Sequence, residues 1–259
     1  MPRLHILFSA FIILALVHSV NGQPANTFSG AIVQGGVIRG PLEDKSISLV
    51  FTGDEFFDGY EKVLGHLQAK HVKAGFFLTG RLYRHPEATA LIRRTKKDGH
   101  YLGPHSDMHL LYNEWTKRDS LLVTKDSMQQ DLKYNLEAMK SFGIHHRHQL
   151  FIPPYEWWNQ AVAAWTSELG WKIISFTPGT YTNADYTTPD MGNTYRSSDT
   201  LLQRLFRKES TDGLNGAILL IHVGTDARRT DKMYDRLPEM IDTLKQRGYQ
   251  FVRIDRLIK

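Results

Sequence analysis

The chain has 259 residues, 41% of them hydrophobic, no cysteine and a formal net charge of +5. That length suits one large domain, the apolar content is ordinary for a packed core, and the missing thiols exclude a disulfide framework and a thiolate metal site. Lys and Arg are scattered among Asp and Glu without a long basic run, so no nucleic acid partner is expected and only a weak attraction to anionic polymers remains.

The N-terminus opens with Arg3, the apolar stretch Ile6 to Val17 and the small residues Ser19 and Gly22, the three-part pattern of a secretory signal. Cleavage after Gly22 makes residues 1–22 the signal peptide and leaves Gln23 first; cleavage after Ser19 also fits. The stretch is short for a membrane span, and an uncleaved anchor is the competing reading. The expected product is exported, periplasmic or secreted, with no stable membrane insertion after cleavage. Residues 23–45 are rich in Gly and polar side chains without a clear period, and read as an N-terminal arm before a single domain over 46–259.

Strand and helix patterns then alternate. Ser46–Phe51 is a β-rich apolar run, and Asp58–Lys70 carries Tyr60, Val63, Leu64 and Leu67 at helical spacing. Gly75–Leu78 is a second strand, closed by Thr79-Gly80, and Pro86–Asp98 a helix ending at Gly99. Tyr101-Leu102 reads as a short third strand, Ser120–Phe142 as a long helix, Leu150–Ile152 as a strand stopped by two prolines, and Asn159–Leu169 as a helix. Trp171–Phe176 is a further strand. The polar residues 179–198 form a long loop, of the kind that is often functional. A helix over Thr200–Lys208, a strand over Ala217–His222, a helix over Met233–Gly248 and a strand over Gln250–Ile254 complete the chain. This alternation predicts a mostly parallel α/β sheet covered by helices, open or closed into a barrel. No glycine-rich nucleotide fingerprint follows the first strand.

Three strand ends carry chemistry. Asp54 and Glu55 follow the first strand, His105 and His109 the third, and His222 ends the run Ala217–His222. In a barrel, catalytic groups sit where strands end. Two neutral imidazoles and a carboxylate suffice to hold a catalytic divalent metal with an open position for water. A His-x3-His pair alone is weak, because twelve histidines are spread over the chain; the coincidence of the three segments is the stronger signal.

These residues resemble the polysaccharide deacetylase family, the NodB-like carbohydrate esterases, over about residues 46–257. Asp54-Glu55 falls at the family's first acidic motif, and His105-Ser106-Asp107-Met108-His109 matches its His-Ser/Thr-x-x-His metal motif. Phe151–Tyr155 is similar to its Arg-Pro-Pro-Tyr segment, Leu219–His222 to its Leu-x-Leu-His segment, and Val72–Gly80 to its second strand. The resemblance implies a distorted (β/α) barrel, a divalent metal, usually zinc, and removal of acetyl groups from a glycan. Asp54, His105 and His109 would hold the metal, Glu55 or Asp54 would be the base, and His222 the acid. Hydrolysing an acetamide needs a polarised carbonyl, a base for the water proton and an acid for the leaving amine. The Tyr155 N–H is the candidate oxyanion donor.

The chain departs from the family pattern in three places. Thr52-Gly53 stands where the family has two aspartates, with Gly53 permitting a bulge that would bring Asp54 inward. Ile152 replaces an arginine that positions the acidic groups. Glu156 replaces a glycine after Tyr155, either as a solvated side chain or as the supplier of the missing carboxylate. Tyr155, Glu156, Trp157 and Trp158 are candidates for contacting sugar, with core packing the alternative for either indole. Asp107 is expected to be solvated or to support a ligand rather than to ligate, and one of Asp185, Asp190 or Asp199 to orient His222. The resulting expectation is an exported hydrolase of an acetylated glycan or oligosaccharide, N-acetyl favoured over O-acetyl. The alternatives are a non-catalytic glycan-binding protein on the same fold and a metal-dependent amidase or esterase for a non-sugar substrate.

Overall fold

The computed structural model describes residues 28–145 and 149–259; the expected signal segment lies outside the described residues. The first element is an antiparallel hairpin of β1 (Ala31–Val33) and β2 (Gly36–Arg39), where the sequence reading has an irregular arm. Its turn is Gln34-Gly35, with φ of 49° and 76°, a two-residue left-handed turn that matches the twist of paired strands. Val37 bridges to Ile174 and Arg39 to Ala217, which stitches the hairpin to the domain.

Parallel strands follow: β3 (Ser46–Gly53), β4 (Gly75–Leu78), β5 (Tyr101–Pro104), β6 (Leu150–Phe151), β7 (Lys172–Ile173), β8 (Ile218–His222) and β9 (Gln250–Phe251). Their order is β5-β4-β3-β8, with β9 beside the start of β3 and β6 paired with β7. The sheet curls round on both sides. Leu150 N donates to the Tyr101 hydroxyl at 2.9 Å, and Thr177 N, beyond β7, donates to Ile218 O at 2.9 Å. The result is the distorted (β/α) barrel, its short and irregular side carried by residues 150–177.

Period-two alternation decides which side chains fill the barrel. Val50, Phe77, Tyr101, Ile152, Ile174, Ile218 and Leu220 form the inner cluster, closed at the bottom by Ile254 and Leu257 of α8 (Ile254–Leu257). The intervening residues, such as Leu49, Phe51, Phe76, Leu219 and Ile221, face the outer helices α1 (Tyr60–Ala69), α3 (Thr89–Lys97), α6 (Ser198–Asp212) and α7 (Leu237–Gln246). Burying one such large apolar side chain contributes about 1.5–3 kcal/mol, so the alternation fixes strand register and hence what stands at the barrel mouth. Two residues beyond Val50, Phe77 and Leu220 on the inner face come Thr52, Thr79 and His222.

Several elements differ from what the sequence predicts. The four-residue helix α2 (Gly80–Tyr83) follows β4 directly, with the Thr79 side chain accepting from Leu82 N. Helix α4 (Lys125–Lys140) begins later than expected, because Thr124 and Ser127 form a reciprocal capping box. Helix α5 (Gln160–Glu168) keeps its expected place, but β7 and β9 are two residues each and the 179–198 loop winds into short 3-10 turns. Gly53 makes no bulge: it pairs in register with Leu78. Its lack of a side chain is a matter of space, since a Cβ there would lie 2.7 Å from Val223 Cγ2.

Candidate active site

A cavity of about 560 Å³ opens at the C-terminal ends of the strands, and Asp54, Glu55, His105, His109, Glu156 and His222 all line it. His105 is 2% exposed, and its Nδ1 donates to Ile152 O at 2.7 Å. That bond puts the lone pair on Nε2, which stands 3.2 Å from His109 Nε2. Burial holds both imidazoles below the ordinary histidine pKa, His109 at about 4, so both are neutral near pH 7.

The loop carrying them is strained, with Ser106 at φ 72° and His109 at φ 56°. It is held by polar side chains on the buried face of α4. Asn135 Oδ1 accepts from His105 N, and the two oxygens of Asp131 accept from Asp107 N and Met108 N at 3.0 Å each. Asp107 itself is buried and makes a bidentate pair with Arg84 at 2.7 and 2.9 Å, so of its two expected roles it has the supporting one and not the solvated one. Asp131 and Asn135 were not anticipated from the sequence; their signal is polar residues four apart on a helix face that also carries Met128, Leu132 and Met139. Asp131→Ala strands two backbone N–H groups and is expected to destabilise the fold by about 2–4 kcal/mol. A urea titration checks this as a lowered midpoint at unchanged slope.

Asp54 comes one residue after β3. Thr79 Oγ1 donates to its Oδ1 at 2.8 Å, and Arg81 of α2 grips both oxygens. Its Oδ2 lies 3.9 Å from His109 Nδ1. Arg81 was not foreseen, since nothing local in the sequence marks a four-residue helix. Glu55 is exposed at the rim, and among the described residues no hydrogen bond or ion pair holds its side chain.

His222 Nδ1 donates to Asp185 Oδ1 at 2.6 Å, and the His222 backbone N–H donates to Asp185 Oδ2 at 3.0 Å. Asp185 is fully buried, whereas Asp190 and Asp199 pair with Arg228 and Arg236 on the surface. Of the three candidates Asp185 is therefore the one that orients the imidazole. Burial alone would lower the His222 pKa; the Asp185 carboxylate and, more weakly, Glu156 outweigh it and raise it.

Pro154–Glu156 forms a 3-10 turn in which Tyr155 and Glu156 have φ of 59° and 52°. The Tyr155 ring lies tilted 4.5 Å from His109 and edge-on 5.5 Å from Trp115, and Trp115 in turn stacks 5.8 Å from Trp157. Arg118 covers Trp157 at 4.1 Å. Trp115, Tyr155 and Trp157 thus make one aromatic wall of the cavity. Trp158 does not join it: it is 3% exposed, packs with Phe151 and Val162, and its indole N–H donates to Gln34 O at 3.0 Å. The expected sugar contact at Trp158 is corrected to core packing, because the N-terminal hairpin covers it. Trp115, which the sequence reading passed over, is the exposed partner.

The polysaccharide deacetylase family model matches residues 39–174. The chain belongs to the polysaccharide deacetylase family. The peptidoglycan-N-acetylmuramic acid deacetylase PdaA of Bacillus subtilis is 27% identical over 222 residues, covering 85% of this chain and 73% of that one. The solved structure of PdaA, a family 4 carbohydrate esterase, superposes with a TM-score of 0.65 at 26% identity, covering 86% and 85% of the two chains. The Listeria monocytogenes peptidoglycan-N-acetylglucosamine deacetylase PgdA is 28% identical; the match covers 83% of this chain and 39% of that one. The fold is also that of BA3943, a CE4 family pseudoenzyme from Bacillus anthracis, with a TM-score of 0.68 at 21% identity, covering 88% of this chain and 70% of that one.

Against the family's metal motif, two donors fit a divalent cation: neutral His105 and His109, their Nε2 atoms converging and one tautomer fixed. Asp54 stands beside them but is committed to Arg81 and Thr79. Among the described residues no three His, Asp or Glu side chains form a closed cluster. A metal would therefore find a two-histidine site with an adjacent carboxylate. Among the described residues no helix is long and apolar enough to cross a membrane.

Proposed function

We propose that the protein is an exported, metal-dependent deacetylase of an acetylated oligosaccharide or glycan, with N-acetyl favoured over O-acetyl groups. The observation that carries this reading is the convergence of His105, His109 and Asp54 with the Asp185-braced His222 on one cavity. The names of PdaA and PgdA support an N-acetyl substrate, and the signal-like N-terminus supports export.

His105 and His109, with Asp54 beside them, would hold the metal, zinc being the expected one. A divalent ion there would polarise the acetyl carbonyl and acidify the attacking water. The protein's own groups supply the rest. The Glu156 and Trp157 N–H groups are taken by the carbonyls of Pro153 and Pro154, and Pro154 has no N–H, so the Tyr155 N–H is the turn's donor toward the developing oxyanion. His222, its Nδ1 held by Asp185, presents Nε2 to the cavity and protonates the leaving nitrogen. The base is one of the cavity carboxylates, Asp54 and Glu55 being those the first motif offers.

The aromatic wall is the sugar-facing side of this reading. Trp157→Ala and Trp115→Ala are each expected to raise KM for an N-acetylglucosamine tetramer about tenfold, a loss of roughly 1.4 kcal/mol of stacking. Turnover of 4-nitrophenyl acetate, which reaches the catalytic groups without the wall, should change less than about twofold. Acetate release from the tetramer, from acetylated xylan and from 4-nitrophenyl acetate tests the substrate class. Tetramer preference supports the N-deacetylase, xylan preference an O-deacetylase, and turnover of the nitrophenyl ester alone a non-sugar hydrolase.

The grip of Arg81 on Asp54 favours a second reading, a glycan-binding protein without turnover. It expects saturable binding of the tetramer, lost in Trp157→Ala, with no acetate released under any metal condition.

A further inference from the structure

We propose that Glu156 is the catalytic base of this site, the carboxylate that takes the proton from the attacking water; the assignment rests on the deacetylase reading above. Three carboxylates line the cavity without being consumed as the brace of His222: Asp54, Glu55 and Glu156. Asp54 has its oxygens engaged by Thr79 and Arg81. Glu55 is exposed at the rim. Glu156 is half-buried on the wall.

Its backbone is the second observation. Tyr155 and Glu156 are consecutive left-handed residues, a conformation glycine adopts without the steric conflict a side chain brings. A side chain kept at such a cost marks a position held for what it does. The same turn brings the Tyr155 ring against His109 and sets Glu156 in the field of His222 and Asp185. Glu156 thus stands on the wall that runs from the histidine pair to the proposed acid.

The other titratable groups on the cavity are Asp54 and Glu55 after β3, His105 and His109 after β5, the Tyr155 and Tyr186 phenols, and His222 on β8 with Asp185 behind it. Of these, His222 and Asp185 act on Glu156. Burial foremost, and then the Asp185 charge, raise its carboxyl, with His222 pulling the other way, and it settles at about 7. A base poised near the working pH is the efficient one.

The chemistry balances with water as the only co-reactant. A water lone pair forms the bond to the acetyl carbon, the carbonyl π pair moves to oxygen, and the water proton passes to Glu156. Collapse then breaks the C–N bond, its electron pair stays on nitrogen, and His222 Nε2 delivers the proton that makes the leaving amine. The products are acetic acid, which ionises to acetate, and the free amino sugar; Glu156 then loses its proton to solvent and His222 takes one back, which restores the site.

The test uses the zinc-loaded protein and the N-acetylglucosamine tetramer. Glu156→Gln is expected to lower kcat at least about 100-fold at nearly unchanged KM and zinc content, with Tm no lower than the wild type. In Glu156→Gly, added formate is expected to restore part of the rate while Tm rises, which a merely structural residue would not show. The acidic limb of the wild-type pH–rate profile should fall as pH drops through about 7. Glu156→Gln within threefold of the wild type, with the loss appearing instead in Glu55→Gln, would overturn the assignment and leave the deacetylase reading standing. No acetate release by the wild type from any substrate would overturn both.

Discussion

His105→Ala is expected to abolish zinc binding and to lower acetate release by at least about 10³-fold. The magnitude follows from losing both the Lewis acid and the acidified water, each worth several kcal/mol of barrier. His105 is the better of the two histidines to remove. It is the more deeply buried, it donates to Ile152 O, and its Nε2 has the fixed lone pair. Truncation frees that carbonyl as well, so a loss of stability accompanies the loss of activity, and the two must be separated. His105→Gln supplies the separation: its amide can satisfy the carbonyl while binding zinc poorly. Thermal unfolding with and without zinc reads the difference. The wild type should gain Tm with added zinc, and both variants should show no gain. A His105→Ala protein that still releases acetate at a tenth of the wild-type rate would remove the metal from the mechanism.

Asp185→Asn is the second large effect, a fall in kcat of about 10²–10⁴. A carboxylate behind an imidazole fixes both its orientation and its tautomer, and the amide cannot accept the Nδ1–H while keeping its other contact to the His222 backbone N–H. The pH profile should move in a stated direction. Asp185 raises the His222 pKa against the lowering effect of burial, so its removal lets that pKa fall. His222 must be protonated to act as the acid, and the protonated form exists below its pKa. The basic limb of the pH–rate profile therefore shifts to lower pH in Asp185→Asn. Asp190→Asn and Asp199→Asn, on the surface with Arg228 and Arg236, should stay within about twofold of the wild type. Equal losses in all three would mean that the loop, not the Asp185 carboxylate, matters.

What could be read from the sequence was what depends on local pattern. The apolar runs ending at Phe51, Leu78 and His222 gave strands, and period-two alternation carried from Ile218 and Leu220 to His222 points that imidazole into the barrel mouth. The ring of residues Asp54, His105, His109 and His222 was legible because each follows a strand. Residues that act from elsewhere in the chain were not. Arg81 reaches Asp54 from a helix of one turn, and Asp131 and Asn135 reach the histidine loop from 23 to 30 residues away. Which of three aspartates braces His222 depends on how residues 179–198 wind, which no period encodes. Gln34-Gly35 was a turn signal between two short apolar runs, hidden in a stretch that looked merely polar. Trp157 and Trp158 are equal candidates for the cleft by sequence, with core packing the alternative for either; the N-terminal hairpin, not the local sequence, decides that Trp158 is the buried one.

The measurement that bears most directly on the central claim is proton NMR of acetate released from the N-acetylglucosamine tetramer by the wild type, metal-stripped and then reloaded with one equivalent of zinc. Acetate that appears only after reloading, and not with His222→Ala, is the expected result. No acetate from the zinc-loaded wild type, although the tetramer binds saturably, would contradict the deacetylase and leave the glycan-binding protein in its place.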